Sequence, residues 1–159
     1  MKTGLHWKNL EWGVFYDSWF AKAILWAGYG TIMLLLMIFT KSEKLSITTL
    51  VHENTHRAQY LECAIVGIVI AAIITIFVPS WWLILIPILL WYFMYGLEYA
   101  VSWVFHLFIE HPKEQHCEYA SSAMEMEAKD NENNHNYLME RPWFAFLKYY
   151  GRICGYQKK

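Results

Sequence analysis

From Cys63 to Leu97 the chain runs for 35 residues without a single Asp, Glu, Lys or Arg. One bilayer crossing takes about 20 apolar residues, so a run of this length suits two crossings better than one. Val78-Pro79-Ser80 supplies the break between them: proline stops the first helix, and Trp81-Trp82 follow at a depth where indoles prefer to sit, the membrane–water boundary. The expectation is a helical hairpin over 60–78 and 81–105. A second uncharged run, Ala23 to Phe39, has 17 residues and lies at the short end of the spanning range, which predicts a further crossing over 20–40. Its closeness to Trp7, Trp12 and Trp19, and the lack of a small-residue cleavage site, argue against a removable signal peptide. The expected fold class is therefore all-α and integral to the membrane, with about three transmembrane helices in one domain over 1–159.

Charge narrows the partners. Thirteen Lys and Arg against fourteen Asp and Glu give a net charge of -1, which lacks the basic footprint of a nucleic-acid binder and leaves the lipid bilayer as the expected partner. Cys63, Cys117 and Cys154 are widely spaced with no CxxC pair, so neither a disulfide framework nor a thiolate metal site is implied. Three crossings would put Lys2, Lys8 and Lys22 on one side and the other ten bases, with the 40–57 loop and the C-terminal segment, on the opposite side. The positive-inside rule assigns that second side to the cytoplasm. In the arm over 1–19, Trp12, Phe15, Tyr16 and Trp19 stand at i, i+3, i+4 and i+7, the stripe of an interfacial helix. The aromatic and basic tail over 142–159 is expected to lie at the interface as well, or beneath the segment that carries the chemistry.

His52-Glu53-Asn54-Thr55-His56 is an HExxH motif. Histidines at i and i+4 share one helical face, so both can reach one metal ion, and the intervening Glu is placed to act as a base on water. Ser46, Thr48 and Thr49 are N-cap candidates for a motif helix over 46–59 that continues into the span from residue 60. Cys63 lies about 10 Å along that helix from His56, at 1.5 Å per residue, which sets the metal near the membrane surface. The plain alternative makes both histidines solvated residues on the wet end of a membrane helix.

A catalytic zinc takes three protein ligands and keeps one position open, and two His with one Glu is an established set. The segment 114–130 is rich in helix formers and returns to the same side of the membrane, where it would offer Glu125 as the third ligand. HExxH with a distant Glu and an Ala three residues later resembles the integral-membrane gluzincins, among them the proteases of prenylated proteins and the peptidase domains of β-lactam sensor-transducers. In that resemblance Glu125 matches the third ligand and Ala128 the +3 position. The +4 position, an Asp in those families that orients a zinc ligand, is Lys129 here, with Asp130 one residue late. A closer likeness runs from His52-Glu53-x-x-His56-x-x-Gln59-x-x-Glu62 through Glu98 to Glu125-x-Glu127-Ala128, Asn131-Glu132, Tyr137-Leu138, Arg141 and Phe144-x-Phe146-x-Lys148-Tyr149. It is similar to a group of small bacterial membrane proteins grouped with the zinc peptidases, and implies the fold, a zinc site and a bacterial inner-membrane location, but no substrate; membrane-associated peptides or protein segments are the substrates expected of a peptidase at the membrane surface.

Several residues stand around this set. Glu127 faces away from Glu125 and suits a surface or supporting role, whereas Glu118, seven residues before Glu125, shares its face and could orient a histidine. His106, His111 and His116 recur at intervals of five, which fits neither one helical face nor an HxxH pair. His135 and Arg141, with Tyr137 between them, are candidates for stabilising an oxyanion in the transition state. Glu62 would reach water or pair with Arg57, and Glu98, inside the third expected crossing, would support His52 or His56 or make an interhelical hydrogen bond. The expected activity is that of an integral-membrane zinc metallopeptidase, with Glu53 as the base and His52, His56 and Glu125 on the metal. A membrane di-iron oxygenase and a non-catalytic pseudopeptidase are the rival classes.

Overall fold

The computed structural model describes residues 9–26, 28–108 and 122–152, of which 105–108 by their backbone alone. Near the start come β1 (Val14–Phe15), α1 (Trp19–Ile24), β2 (Thr31–Leu34) and β3 (Met37–Thr40). Two long helices follow, α2 (Ile47–Phe77) and α3 (Leu85–Phe108), then α4 (Ala123–Asn131), the single turn α5 (Tyr137–Glu140) and a 3-10 segment over Ala145–Arg152. The chain is mostly helical, as the apolar runs imply, with one small three-stranded sheet beside the helices.

α2 forms where the capping residues put it. The Ser46 hydroxyl accepts the Thr49 backbone N–H at 3.0 Å, and the helix then runs unbroken through the HExxH motif to Phe77. Pro79 prevents continuation, Trp81–Ile84 make one 3-10 turn, and α3 packs back against α2. The two helices meet closely at Gly67, where a Cβ would lie 2.5 Å from the Pro87 Cα. Both helices are long and apolar enough to cross a membrane, yet only 22% and 11% of their most apolar stretches are buried within the protein. Ile73, Ile76, Phe77, Trp81, Trp82 and Ile84 all stand exposed around the hairpin tip.

The expected crossing over 20–40 is not there: α1 spans six residues, and 31–40 form an antiparallel hairpin in which Leu34 pairs with Met37. An apolar run fixes burial, not period, and this one holds Gly28 and Gly30 just before two four-residue strands. The hairpin loop is Leu35-Leu36 with φ of 47° and 70°, the left-handed pair that a two-residue turn demands and that Asn-Gly would normally fill. The strain is held from outside, by the Leu35 N–H donated to the Tyr92 hydroxyl of α3 at 2.7 Å and by Leu36 packed on the core. The expected interfacial helix through Trp12, Phe15, Tyr16 and Trp19 is also absent. Gly13 and Asp17 take positive φ and break that register into a turn, β1 and α1, with β1 running parallel to β3.

The core gathers at the motif end of the hairpin. Met33 and Ile38 from the sheet meet Leu50, Tyr60 and Cys63 of α2, Trp91 of α3, Met124 of α4 and Phe146 of the last segment. The tail therefore packs beneath α4, with the Tyr150 hydroxyl on the Glu98 carboxylate and the Tyr149 hydroxyl accepting from the Asn131 amide. Residues beyond 152 lie outside the described residues.

Candidate metal centre

His52 and His56 stand one turn apart on α2, with their Nε2 atoms 3.2 Å from each other. Glu125 comes from the first turn of α4, which Ser122 caps by accepting the Glu125 backbone N–H at 3.2 Å. Its two oxygens lie 3.4 Å from His52 Nε2 and 3.2 Å from His56 Nε2. His52, His56 and Glu125 thus converge as a group that could hold a metal ion, and the register drawn from Glu125 puts the right acid on the histidines. His56 and Glu125 are buried, while His52 retains a partly open edge.

The outward-facing nitrogens of the two histidines are each held by a different partner, and a third partner reaches Glu125. His52 Nδ1 meets the Glu132 carboxylate at 3.1 Å, and a carboxylate can only accept, so Nδ1 carries the proton. His56 Nδ1 lies 2.9 Å from Gln59 Oε1. The Gln59 amide is orientated by its other end, since its Nε2 faces the Met124 carbonyl at 2.9 Å and a Glu127 carboxylate oxygen at 3.1 Å. Two acceptors require the NH2 group there, so the oxygen faces His56 and the His56 proton also sits on Nδ1. The Tyr95 hydroxyl of α3 donates to Glu125 at 3.1 Å. In the neutral tautomers three unprotonated atoms then point at one another, an arrangement that repels itself unless a cation stands among them. A proton on His56 is one such cation: burial alone would raise the Glu125 carboxyl, but the hydrogen bond and charge of a protonated His56, with the charges of His52 and Lys129, hold the group down to about 2.

Glu53 is buried beside His52 in the field of His56, Glu125 and Arg57. Arg57, expected as a partner of Glu62, donates to Asn54 at 2.9 Å and lies over the Trp12 ring at 5.7 Å. Glu62 instead takes Arg141, through Nη1 at 2.5 Å and Nη2 at 3.0 Å, and accepts the Phe144 backbone N–H at 2.8 Å. Arg141 also donates to Glu127 from Nε at 2.5 Å and Nη2 at 3.2 Å, and its remaining Nη1 hydrogen reaches the Pro142 carbonyl at 3.5 Å. All five guanidinium hydrogens are thereby committed, which removes Arg141 from the oxyanion role and makes it a clamp between two buried carboxylates. Glu127 is likewise no surface residue: it is fully buried and takes Arg141, Gln59 and the Tyr137 hydroxyl at 2.8 Å.

Glu98 touches neither histidine. It accepts the Met124 backbone N–H at 3.1 Å and so holds the N-terminal end of α4, supporting Glu125 through the helix that carries it. His135 stands exposed in the turn between α4 and α5. Glu118, His111 and His116 lie outside the described residues, as does the part of the expected 114–130 helix before Ser122, and His106 is described by its backbone alone. Sequence reasoning assigned no role to Gln59, Glu132 or Tyr95. Gln59 was within reach of a local signal, being three residues from His56 on one helix, whereas Glu132 and Tyr95 arrive from other elements. Comparison with family models, with curated proteins and with solved structures gives no match for the chain.

Proposed function

We propose that the chain is an integral-membrane zinc metallopeptidase whose site lies at the cytoplasmic surface of the bilayer. The observation that carries the metal is the spacing of its ligand atoms. A tetrahedral ion with bonds of about 2.0–2.1 Å separates its ligands by roughly 3.3–3.4 Å; the two Nε2 atoms here lie 3.2 Å apart, a different Glu125 oxygen faces each of them at 3.4 and 3.2 Å, and one ligand atom from each of the three residues falls within 4.8 Å of the others. The donor set of two imidazoles and one carboxylate, with each histidine Nδ1–H held from behind, suits zinc with one position left for water or substrate. Bound there, zinc would supply a Lewis acid that polarises a scissile carbonyl and makes water a nucleophile near neutral pH.

The chain's own groups do the rest. Glu53, which makes no ligand contact within the group, takes the proton of the attacking water and returns it to the leaving amine. The partly open edge at His52, with Lys129 beside Glu125 at 3.7 Å, is the side from which a peptide segment enters. The exposed apolar surfaces of α2 and α3 form a patch far larger than a soluble monomer leaves uncovered, and their cover is lipid. With two spans in place of three, the N-terminal sheet, the motif and α4 share one side. Every Lys and Arg among the described residues then falls on that side and none on the hairpin tip, which points the site to the cytoplasm. A bacterial inner membrane is the location that the resemblance implies, and a membrane-associated peptide or protein segment is the substrate that a site at the bilayer surface would meet.

Metal analysis of the purified protein tests this. One zinc per chain is expected, retained in Glu53→Gln and lost in Glu125→Ala. Two irons would install the oxygenase reading, and no metal the non-catalytic one. Cells carrying the wild-type chain should accumulate membrane-protein fragments that cells carrying Glu53→Gln do not, and matching fragment patterns would refute the peptidase.

A further inference from the structure

Behind the metal ligands runs a continuous buried chain of hydrogen bonds: His56 to Gln59, Gln59 to Glu127, Glu127 to Arg141, Arg141 to Glu62. Its members come from α2, α4 and the loop after α5, and Gln59, Glu62, Glu127 and Arg141 are all essentially inaccessible to water. Position 59 must accept from the His56 Nδ1–H and at the same time donate to both Glu127 and the Met124 carbonyl. Among side chains of that length only the amide does both. A carboxylate there would accept from His56 but set a second negative charge against Glu127 in a dry site, and an apolar side chain would leave the His56 Nδ1–H without its acceptor and take one donor each from Glu127 and the Met124 carbonyl.

We infer that Gln59 is a positioning residue, which holds His56 with its proton on Nδ1 and its Nε2 lone pair toward the metal, and whose own orientation is dictated by Glu127 under the grip of Arg141. The two histidines are thereby tuned differently. His52 is backed by the carboxylate of Glu132, while His56 is backed by a neutral amide. The inference rests on the metal reading for its purpose but not for its geometry. It also makes the C-terminal segment a working part of the site, because Arg141 and the Phe144 N–H tie that segment to the far end of the relay.

The experiment uses the full chain in detergent with 15N-labelled histidine. In the zinc-loaded protein His56 should ligate through Nε2 and keep a slowly exchanging proton on Nδ1. Gln59→Leu should free that proton to exchange and weaken zinc roughly 10- to 100-fold, the size typical of groups that orient a ligand. Gln59→Glu should weaken it as well. The double variant Gln59→Glu with Glu127→Gln exchanges amide and carboxylate at unchanged charge, and should recover much of the affinity that Gln59→Glu alone loses. A purely structural glutamine predicts no such rescue and no change in proton exchange, and either result would overturn the assignment, as would ligation of His56 through Nδ1. If the wild-type protein took no zinc, the metal reading alone would fall. The spectrum of the metal-free protein at alkaline pH would then still decide for or against Gln59, by showing the neutral His56 proton on Nδ1 or on Nε2.

Discussion

Replacing Arg141 with Leu removes the one cation that stands between two buried carboxylates. Glu62 and Glu127 are each within 1% of complete burial, and four of the guanidinium hydrogens go to their oxygens. Breaking a buried pair from one side typically costs about 3–5 kcal/mol, since the charge left behind has lost both water and partner. Here the orphans keep some donors: the Phe144 N–H on Glu62, and the Tyr137 hydroxyl and Gln59 amide on Glu127. That places the loss near the lower end, roughly 3–4 kcal/mol. At about 2–4 °C per kcal/mol for a chain of this size, Arg141→Leu should lower Tm by roughly 10 °C. Far-UV circular dichroism of the metal-free protein in detergent measures it. A triple variant, Arg141→Leu with Glu62→Leu and Glu127→Leu, should regain much of the stability because apolar groups replace the whole network. It should not regain full zinc affinity, because Gln59 has lost one of the two acceptors that orient it. A Tm within about 2 °C of wild type for Arg141→Leu would mean that the clamp is solvated, and the energetic account of the relay would fail.

Three further outcomes are expected. Glu125→Ala should strip the metal by removing a ligand, whereas Glu132→Gln should only weaken binding, by about 10-fold, because its amide can still accept the His52 proton; equal losses in a metal titration would show that Glu132 is itself a ligand. Gly67→Val should force α2 and α3 apart and lower Tm, since even its Cβ would meet the Pro87 backbone, while Gly96→Ala, with open space around it, should raise stability by about 0.5–1 kcal/mol. A Gly67→Val chain that melted like wild type would contradict the crossing. Reporters fused after Lys159 and before Asn9 should face the cytoplasm and one inserted at Ser80 the opposite side, and a reporter before Asn9 on the Ser80 side would restore the third crossing.

The parts legible in the sequence are those governed by local period and by solvation. A 35-residue stretch with no charge is too long for a strand pair of ordinary length and suits two long helices, and Pro79 divides it, so the hairpin is written into the chain within a few residues of its observed ends. His52, Glu53 and His56 need only the 3.6-residue turn and a cap at Ser46 to share a face. Glu125 was reachable from its likeness to a known pattern and from the expectation that its helix returns to the motif end of the hairpin. The region 20–40 was not legible, because apolar content says that residues avoid water and is silent on whether they do so as one helix or as two short strands against a neighbour. The roles of Glu98, Glu127 and Arg141 were also undecided until elements far apart in the chain met. A buried charge takes its meaning from whatever stands within about 3 Å of it, and that neighbour is 79 residues away for Arg141 and Glu62 and 80 for His52 and Glu132. Local sequence can place a ligand on a helix face, but only the packing of α2, α3, α4 and the tail decides which proton each ligand keeps, and with it whether the face can hold a metal.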